Sequence, residues 1–446
     1  MPRATVPELR VAMLAKESLT QLKYNSVIPL TGVIDYEKGS FVLDDSVKIR
    51  RPKRRIAVDY DPREGGGINT EAEFFGGTLS LEKLWRDSYP VYSNTPDRSF
   101  ELYVTETATQ IADAIGRAND QYLAAKLRAY TATSGNVPVY LGDHPFIAMT
   151  ASVDPTTGQL AKFRSDALLS ARTTLKSMDV PDSDLYGVLS TAAEGAFIGD
   201  ATELNRYVAA QIPGANGGQA MYQQGIRRAQ FIDRYGIKCT GSNSIYGQSA
   251  VTALDAANAA VLPIASVAED TTKFFYADMM GNVPIGCLDI TLTANTALSP
   301  TVGIGHIVRI GPSTSNAQPK GFGVILRINN AATTAPIITM AVYTPDGRQL
   351  RAGEIVAGTD VFSIPLVPSV NPVYHREALL IANRELRTDN AQNVLVKTVV
   401  DPDTKLTLQL FQGNFDIDRL RSINAAYCLT GAKVSDWRKG CFVLSL

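Results

Sequence analysis

The chain has 446 residues, of which 45% are hydrophobic and 20% charged, and its net charge is −1. These values are ordinary for a soluble globular protein with room for a large core and two or three domains. They exclude a general nucleic-acid binder, which is usually basic over a whole domain. No run approaches about 18 consecutive apolar residues, so no transmembrane helix is expected. Met1 to Ala15 lacks an apolar core of signal-peptide length. Four cysteines, Cys239, Cys287, Cys428 and Cys441, show no metal-like spacing and suit buried thiols in a reducing compartment.

Pro7 suits the first turn of a helix. Val11, Ala15, Leu19 and Leu22 follow at helical spacing with Leu14 beside them, which predicts an amphipathic helix over 7–24. Residues 40–60 read as extended. Six of the eight residues from Lys48 to Arg55 are basic: Lys48, Arg50, Arg51, Lys53, Arg54 and Arg55. With six positive charges here and −1 overall, the rest of the chain sums to −7. Val47 and Ile49 alternate with Lys48 and Arg50, and Ile56 and Val58 follow. The run therefore reads as a strand inside a fold, since a disordered basic tail would lack such β-branched anchors. From Asp61 to about Phe100 come Gly65-Gly66-Gly67, Gly76-Gly77 and alternating segments such as Tyr89 to Tyr92. This predicts a long hairpin with a flexible tip, an arm reaching beyond its own domain.

The clearest helix is predicted over 107–130. Thr107 and Gln110 make a capping-box pattern, and Ile111, Ile115, Ala118, Tyr122, Ala125 and Ala129 form one face. Gly116 inside it costs about 1 kcal/mol relative to Ala, so tertiary packing must support the helix. Ser165 caps a second helix, faced by Leu168, Leu175 and Met178 and stopped by Val180-Pro181. A strand over 185–189, a helix over 203–211 and a strand-like stretch over 229–240 follow; 250–262 is Ala-rich and fits either class. From Cys287 to Pro368 helical periodicity disappears. Strand candidates are 288–292, 307–310, 324–328, 337–343, 354–357 and 361–364, with turn signals such as Pro345-Asp346-Gly347 between them. Short strands at this spacing predict a small barrel or sandwich inserted into a mixed host. Leu406, Leu408 and Leu410 then alternate on one strand face. A polar turn at 416–418 and apolar segments at 423–429 and 441–446 complete the chain.

Enzyme signatures are absent. His144, His306 and His375 are the only histidines, and none has a ligand partner at helical spacing. His144 lies in a turn between Gly142 and Pro145, and His306 alternates within a strand. Gly303-x-Gly305 precedes a strand, the reverse of the dinucleotide-binding order. There is no phosphate-binding loop and no nucleophile elbow. The acid pairs Asp182/Asp184, Asp401/Asp403 and Asp416/Asp418 fall in predicted turns, where solvated acids are commonplace. No catalytic residue, cofactor or metal is assigned.

Several segments, in order, resemble the major capsid proteins of tailed bacteriophages, nearest the podovirus-type coat protein with an inserted β domain. Asp45-Ser46-Val47-Lys48-Ile49-Arg50-Arg51-Pro52-Lys53-Arg54 is similar to that family's basic strand leading into its E-loop hairpin. Residues 89–103 and the 107–130 helix are similar to the return strand and spine helix. The helix and strand across 165–190 form the third segment. Asn371-Pro372-Val373-Tyr374-His375-Arg376-Glu377-Ala378 is similar to the re-entry from the inserted domain, and 416–433 to the closing strands.

The resemblance implies an α+β, Hong Kong 97-like capsid fold with an inserted small β-barrel. It divides the chain into an N-terminal arm (1–45), a basic strand and E-loop (46–105) and a spine helix and peripheral domain (106–162, with part of 390–425). An axial domain (163–286, completed by 373–390 and 425–446) and the inserted β domain (287–372) follow. It further implies a virion shell protein assembled in the bacterial cytoplasm. Its partners are other copies of itself in hexamers and pentamers, scaffold, portal and decoration proteins, and packaged double-stranded DNA, with no membrane. Two other classes fit less of the chain: an encapsulin-like compartment shell, which would lack 287–368, and a β-rich secreted adhesin, which the spine helix disfavours. For the basic strand three readings stand: pairing across subunits with acids such as Glu71, Glu73 or Glu101, contact with DNA phosphates, or a solvated strand face.

Overall fold

The computed structural model describes residues 13–20, 22, 26–35, 40–41, 45–52, 74–92, 100–128, 139–140, 146–154, 156–198, 232–249, 261–270, 274–278, 281–284, 286–293, 302–312, 318–329, 335–387, 395–400, 406–416 and 421–446. Val11, Lys53, Arg54, Arg55, Glu71, Glu73, His144, Asp401 and Asp403 therefore lie outside the described residues, as do the expected 203–211 helix and most of 250–262.

Helix α1 (Phe100–Arg128) has 29 residues and is about 44 Å long. It begins ahead of the expected Thr107, so the return strand expected to reach Tyr103 ends instead at Tyr92. Leu102, Tyr103 and Val104 read as strand locally. Asp97 and Ser99 just upstream and Glu101 in the first turn suit a helix start by sequence. The buried side of α1 includes Ile111, Ile115, Tyr122, Leu123 and Leu127. Ala125, expected on that side, is exposed.

Helical residues 13–20 and 22 lie against α1, with Leu14, Ala15, Leu19 and Leu22 meeting Ala108, Ile111, Ala112 and Ile115 in one cluster. A Cβ on Gly116 would stand 3.4 Å from Leu22 and 3.5 Å from Ser26, so the N-terminal segment supplies the support this glycine needs. Beneath both helices is a seven-stranded sheet. Its path runs Val33–Asp35, Leu379–Leu386, Arg421–Val434, Thr407–Asp416, Leu395–Val400, with Ser40–Phe41 also on Leu379–Leu386 and Lys83–Tyr92 also on Arg421–Val434. The alternating Leu406, Leu408 and Leu410 form the buried row under the helices, as their period of two requires.

A second sheet has six strands in the order Ala148–Ala151, Gly440–Ser445, Ser369–His375, Leu185–Ser190, Ile237–Ser242, Ile232–Arg234. The first four are buried along their whole length. Helices α2 (Ser165–Ser177) and α3 (Thr191–Ile198) pack on this sheet. Ser165 is the first residue of α2 and not its cap; Arg164 holds the cap position without a side-chain bond. The strand expected over 229–240 is a hairpin. Tyr235 (φ 52°) and Gly236 (φ 76°) both take left-handed backbone, the two-residue turn that suits strand twist.

A closed barrel runs in the order Val261–Asp270, Cys287–Leu292, Ile337–Tyr343, Gly321–Asn329, Ile307–Pro312, Asp360–Ser363. Its first strand lies upstream of the expected start at 287. The expected 354–357 strand is instead the end of a 3-10 turn, Ala352–Glu354, and the loop after it. Leu288, Ile290, Leu292, Val308, Ile310, Ile325, Ile338, Met340 and Phe362 fill the barrel. The outward residues of the same wall, Ile307, Phe322, Val324, Leu326, Ala341 and Tyr343, belong to the main core with Met149, Leu168 and Phe442. One wall of the barrel is thus buried on both faces and lies against Ala148–Ala151.

The side chain of Gln248 fastens the barrel's exit. It accepts from Ile307 N–H (2.6 Å) and donates to Ile307 O (2.8 Å) and Pro365 O (3.2 Å). Several strands also change company relative to the expected division. Ala148–Ala151 lies in the six-stranded sheet and not beside α1, whereas Leu379–Leu386 and Arg421–Val434 lie in the α1 sheet.

A shared wall makes barrel and six-stranded sheet one cooperative unit. Phe322→Ala should destabilise the chain by about 3–5 kcal/mol. In urea, barrel and sheet probes should unfold together in the wild type; two separate transitions would refute the sharing.

Candidate functional site

Among the described residues no three His, Cys, Asp or Glu side chains form a metal-holding group. All four cysteines are buried, and none is in a disulfide. Burial pushes the His375 imidazole below its ordinary value, and its Nδ1 accepts from the Glu377 N–H at 3.3 Å, capping a turn. His306 stands in the turn before Ile307–Pro312 and not within a strand; its Nδ1 is 2.9 Å from the Gly303 N. Asp182 accepts from Arg172 (3.4 Å) and Lys176 (3.3 Å), bonds that hold its carboxyl below the usual range. Asp184 faces Lys238 at 3.7 Å. Each of these groups ties one local element to another.

Ser46–Pro52 pairs with Phe74–Ser80 in a two-stranded sheet that joins no larger one among the described residues, whereas Lys83–Tyr92, expected in the same long hairpin, pairs with Arg421–Val434 in the seven-stranded sheet, and the expected tip lies outside the described residues. Its register sets Lys48 opposite Thr78, Ile49 opposite Gly77, Arg50 opposite Gly76 and Arg51 opposite Phe75. The strand facing the cationic residues contains no acid. The expected partners Glu71 and Glu73 lie outside the described residues, and Glu101 sits in the first turn of α1, ahead of the residues whose side chains are described.

The root of the arm is well defined. Leu79 and Leu81 are buried with Ala382 and Leu429, and Leu81 N–H donates to Asp45 O at 2.9 Å. Gly431 permits the crossing: a Cβ there would lie 2.3 Å from Ser80 O. Glu82 then meets α1, 2.7 Å from Lys126 Nζ and 3.3 Å from the Tyr122 hydroxyl. The same hydroxyl accepts from Ala432 N–H at 3.2 Å. One helix residue, Tyr122, so touches both the arm's root and the strand it crosses.

A second junction holds the segment between the N-terminal helix and the sheet. Asp120, buried on α1, accepts from Ser26 Oγ (2.8 Å) and from Val27 N–H (3.1 Å). Burial pushes its carboxyl up to about 6 against these bonds, which favour the charged form. Further along, Thr31 Oγ1 is 2.5 Å from the Tyr374 hydroxyl, and Arg376 Nε donates to Gly32 O at 3.2 Å. Sequence reasoning did not single out Asp120. The available signal was a pair of polar residues, Asn119 and Asp120, on the apolar side of a long amphipathic helix.

No family model and no curated protein matches the sequence. Among solved structures the chain is similar to the capsid of cyanophage P-SCSP1u, at 9% identity over 93% of this chain and 86% of that one, TM-score 0.40. It is similar to the capsid of Ralstonia phage GP4, at 9% identity over 93% and 87%, TM-score 0.40. A structure of Mycobacterium phage Che8 is similar at 11% identity over 94% and 90%, TM-score 0.36. Likenesses this distant do not carry the functional reading, which rests on the chain's own residues.

Gly431→Ala should loosen the arm's root, at a cost of about 1–3 kcal/mol, because backbone and not a side-chain tip occupies the space. Limited proteolysis should then cut between residues 45 and 81 faster than in the wild type; an unchanged cleavage rate would show that the crossing tolerates the methyl group.

Proposed function

We propose that the chain is the major coat protein of a tailed bacteriophage, a structural protein that tiles copies of itself into an icosahedral shell around double-stranded DNA. The observation that carries this reading is the arm: a hairpin rooted in the α1 sheet, strongly cationic on one strand, and paired only with itself among the described residues. A lone two-stranded hairpin is marginal in water, so such an arm needs covering surface from elsewhere. A second copy of the chain supplies it, as subunits in closed symmetric assemblies do.

In this reading α1 and the seven-stranded sheet form the peripheral domain of a Hong Kong 97-like fold. The six-stranded sheet forms the axial domain, and the barrel is the insertion. The N-terminal helix and the hairpin are the two arms, exchanged within hexamers and pentamers. Scaffold, portal and decoration proteins are the further partners this role calls for, and the virion is its place. The barrel favours a viral coat over a cargo-holding compartment, which needs no insertion. No helix among the described residues is long and apolar enough to cross a membrane.

The strand paired with Lys48, Arg50 and Arg51 carries no acid, Phe74 to Ser80 being uncharged, and the reading gives these cations a partner on another molecule. Acidic side chains of a neighbouring subunit are the first choice and DNA phosphates the second.

Negative-stain microscopy of the purified protein with and without its scaffold should show closed shells; small oligomers under every condition would end the coat-protein reading. Replacing Arg50, Arg51, Arg54 and Arg55 with Gln should leave folded subunits that fail to close shells, and wild-type assembly should weaken with salt. Normal empty shells that lose their DNA would instead favour the phosphate contact.

A further inference from the structure

The segment 26–35 touches three bodies in ten residues. Its first half, Ser26 to Thr31, lies on α1 through Asp120 and reaches the six-stranded sheet through Thr31 and Tyr374. Its second half is locked into the other sheet as a parallel strand, Val33 opposite Leu380, Ile34 opposite Ile381 and Asp35 opposite Ala382. Gly32 separates the halves and sits so close to Leu379 that a Cβ would lie 2.9 Å from its carbonyl oxygen. The first half is therefore the part able to leave, with Gly32 as the pivot. Ile28, fully buried, and the polar seat at Asp120 are what keep it down.

We propose that Ser26 to Thr31 is a proton-dependent strap: it seats more firmly on α1 while Asp120 is protonated, and ionisation of Asp120 biases it towards release.

The groups facing the carboxyl are known. The strap presents the Ser26 hydroxyl and the N–H groups of Val27 and Ile28, and the six-stranded sheet presents Tyr374, whose hydroxyl is engaged by Thr31. Among the described residues no basic side chain acts on Asp120. Among the described residues its hydrogen-bond donors are neutral, and burial dominates. The sign follows. The seated state holds the proton up to about pH 6, whereas a hydrated Asp120 releases it near its ordinary value of 3.8. Seating is thus fully supported below pH 3.8, and that support is lost as the pH rises through 6. The effect does not depend on shell formation and is read on the unassembled full-length chain.

Hydrogen exchange of amides 26–28 and 30–32 (Pro29 has none), corrected for intrinsic rates, measures strap opening directly. In the wild type the corrected rate should rise about tenfold from pH 5 to pH 7.5 and level off above the carboxyl's titration near 6. Asp120→Asn should remove that pH dependence. Ser26→Ala deletes a bond that favours the charged carboxyl, so it should move the midpoint to higher pH, an effect that loosening alone does not produce. Amides of Leu379–Leu386 serve as the reference and should not follow pH. A flat wild-type profile overturns the strap, and so does a Ser26→Ala midpoint equal to the wild type's, even if Asp120→Asn fails to fold.

Discussion

The barrel wall that is buried on both faces sets the arrangement of everything around it. Ile338, Met340 and Val342 point into the barrel, while Ala341 and Tyr343 on the same strand point into the main core. A strand packed this way has no solvated face along which to slide or rock. The barrel is inserted in sequence, yet its orientation is fixed by packing and not by its linkers. Gln248 reinforces this at the exit by bonding both backbone groups of Ile307 with one amide. Whatever surface the barrel presents to a neighbour, it presents at a fixed angle to the six-stranded sheet.

The arms obey the opposite logic. The hairpin's root is held by Leu79, Leu81 and the Gly431 crossing, and beyond it the paired strands join no other sheet among the described residues. The N-terminal helix packs well but is tied to the fold through a strap with a buried carboxylate in its seat. The proposed exchange of surface between copies rests on this contrast between a packed body and two separately anchored extensions.

Much of this was legible from periodicity. Alternation at Leu406, Leu408 and Leu410 marked a half-buried strand, and the strand candidates 307–310, 324–328 and 337–343 fall inside barrel strands. The failures are informative. Tyr235 takes a left-handed turn that no propensity assigns to tyrosine, so one predicted strand became two. The start of α1 was hidden because Leu102 to Val104 favour strand in isolation. Sheet membership of Ala148–Ala151, Leu379–Leu386 and Arg421–Val434 depends on pairing with residues far away in sequence, which local pattern does not encode. Asp120 went unnoticed because its meaning comes from burial and from two residues nearly a hundred positions upstream.

The position of Gly440–Ser445 has a temporal consequence. It lies between Ala148–Ala151 and Ser369–His375, at a sequence distance that makes its closure slow. The barrel, by contrast, draws all its strands from 261–363 and can close early. Until residue 445 has left the ribosome and taken its place, Phe322, Val324, Leu326 and Tyr343 have no finished sheet to cover them. During synthesis, then, the wall that gives the mature molecule its rigidity is an uncovered apolar surface, and the interval before it is capped is when the chain is most exposed to aggregation.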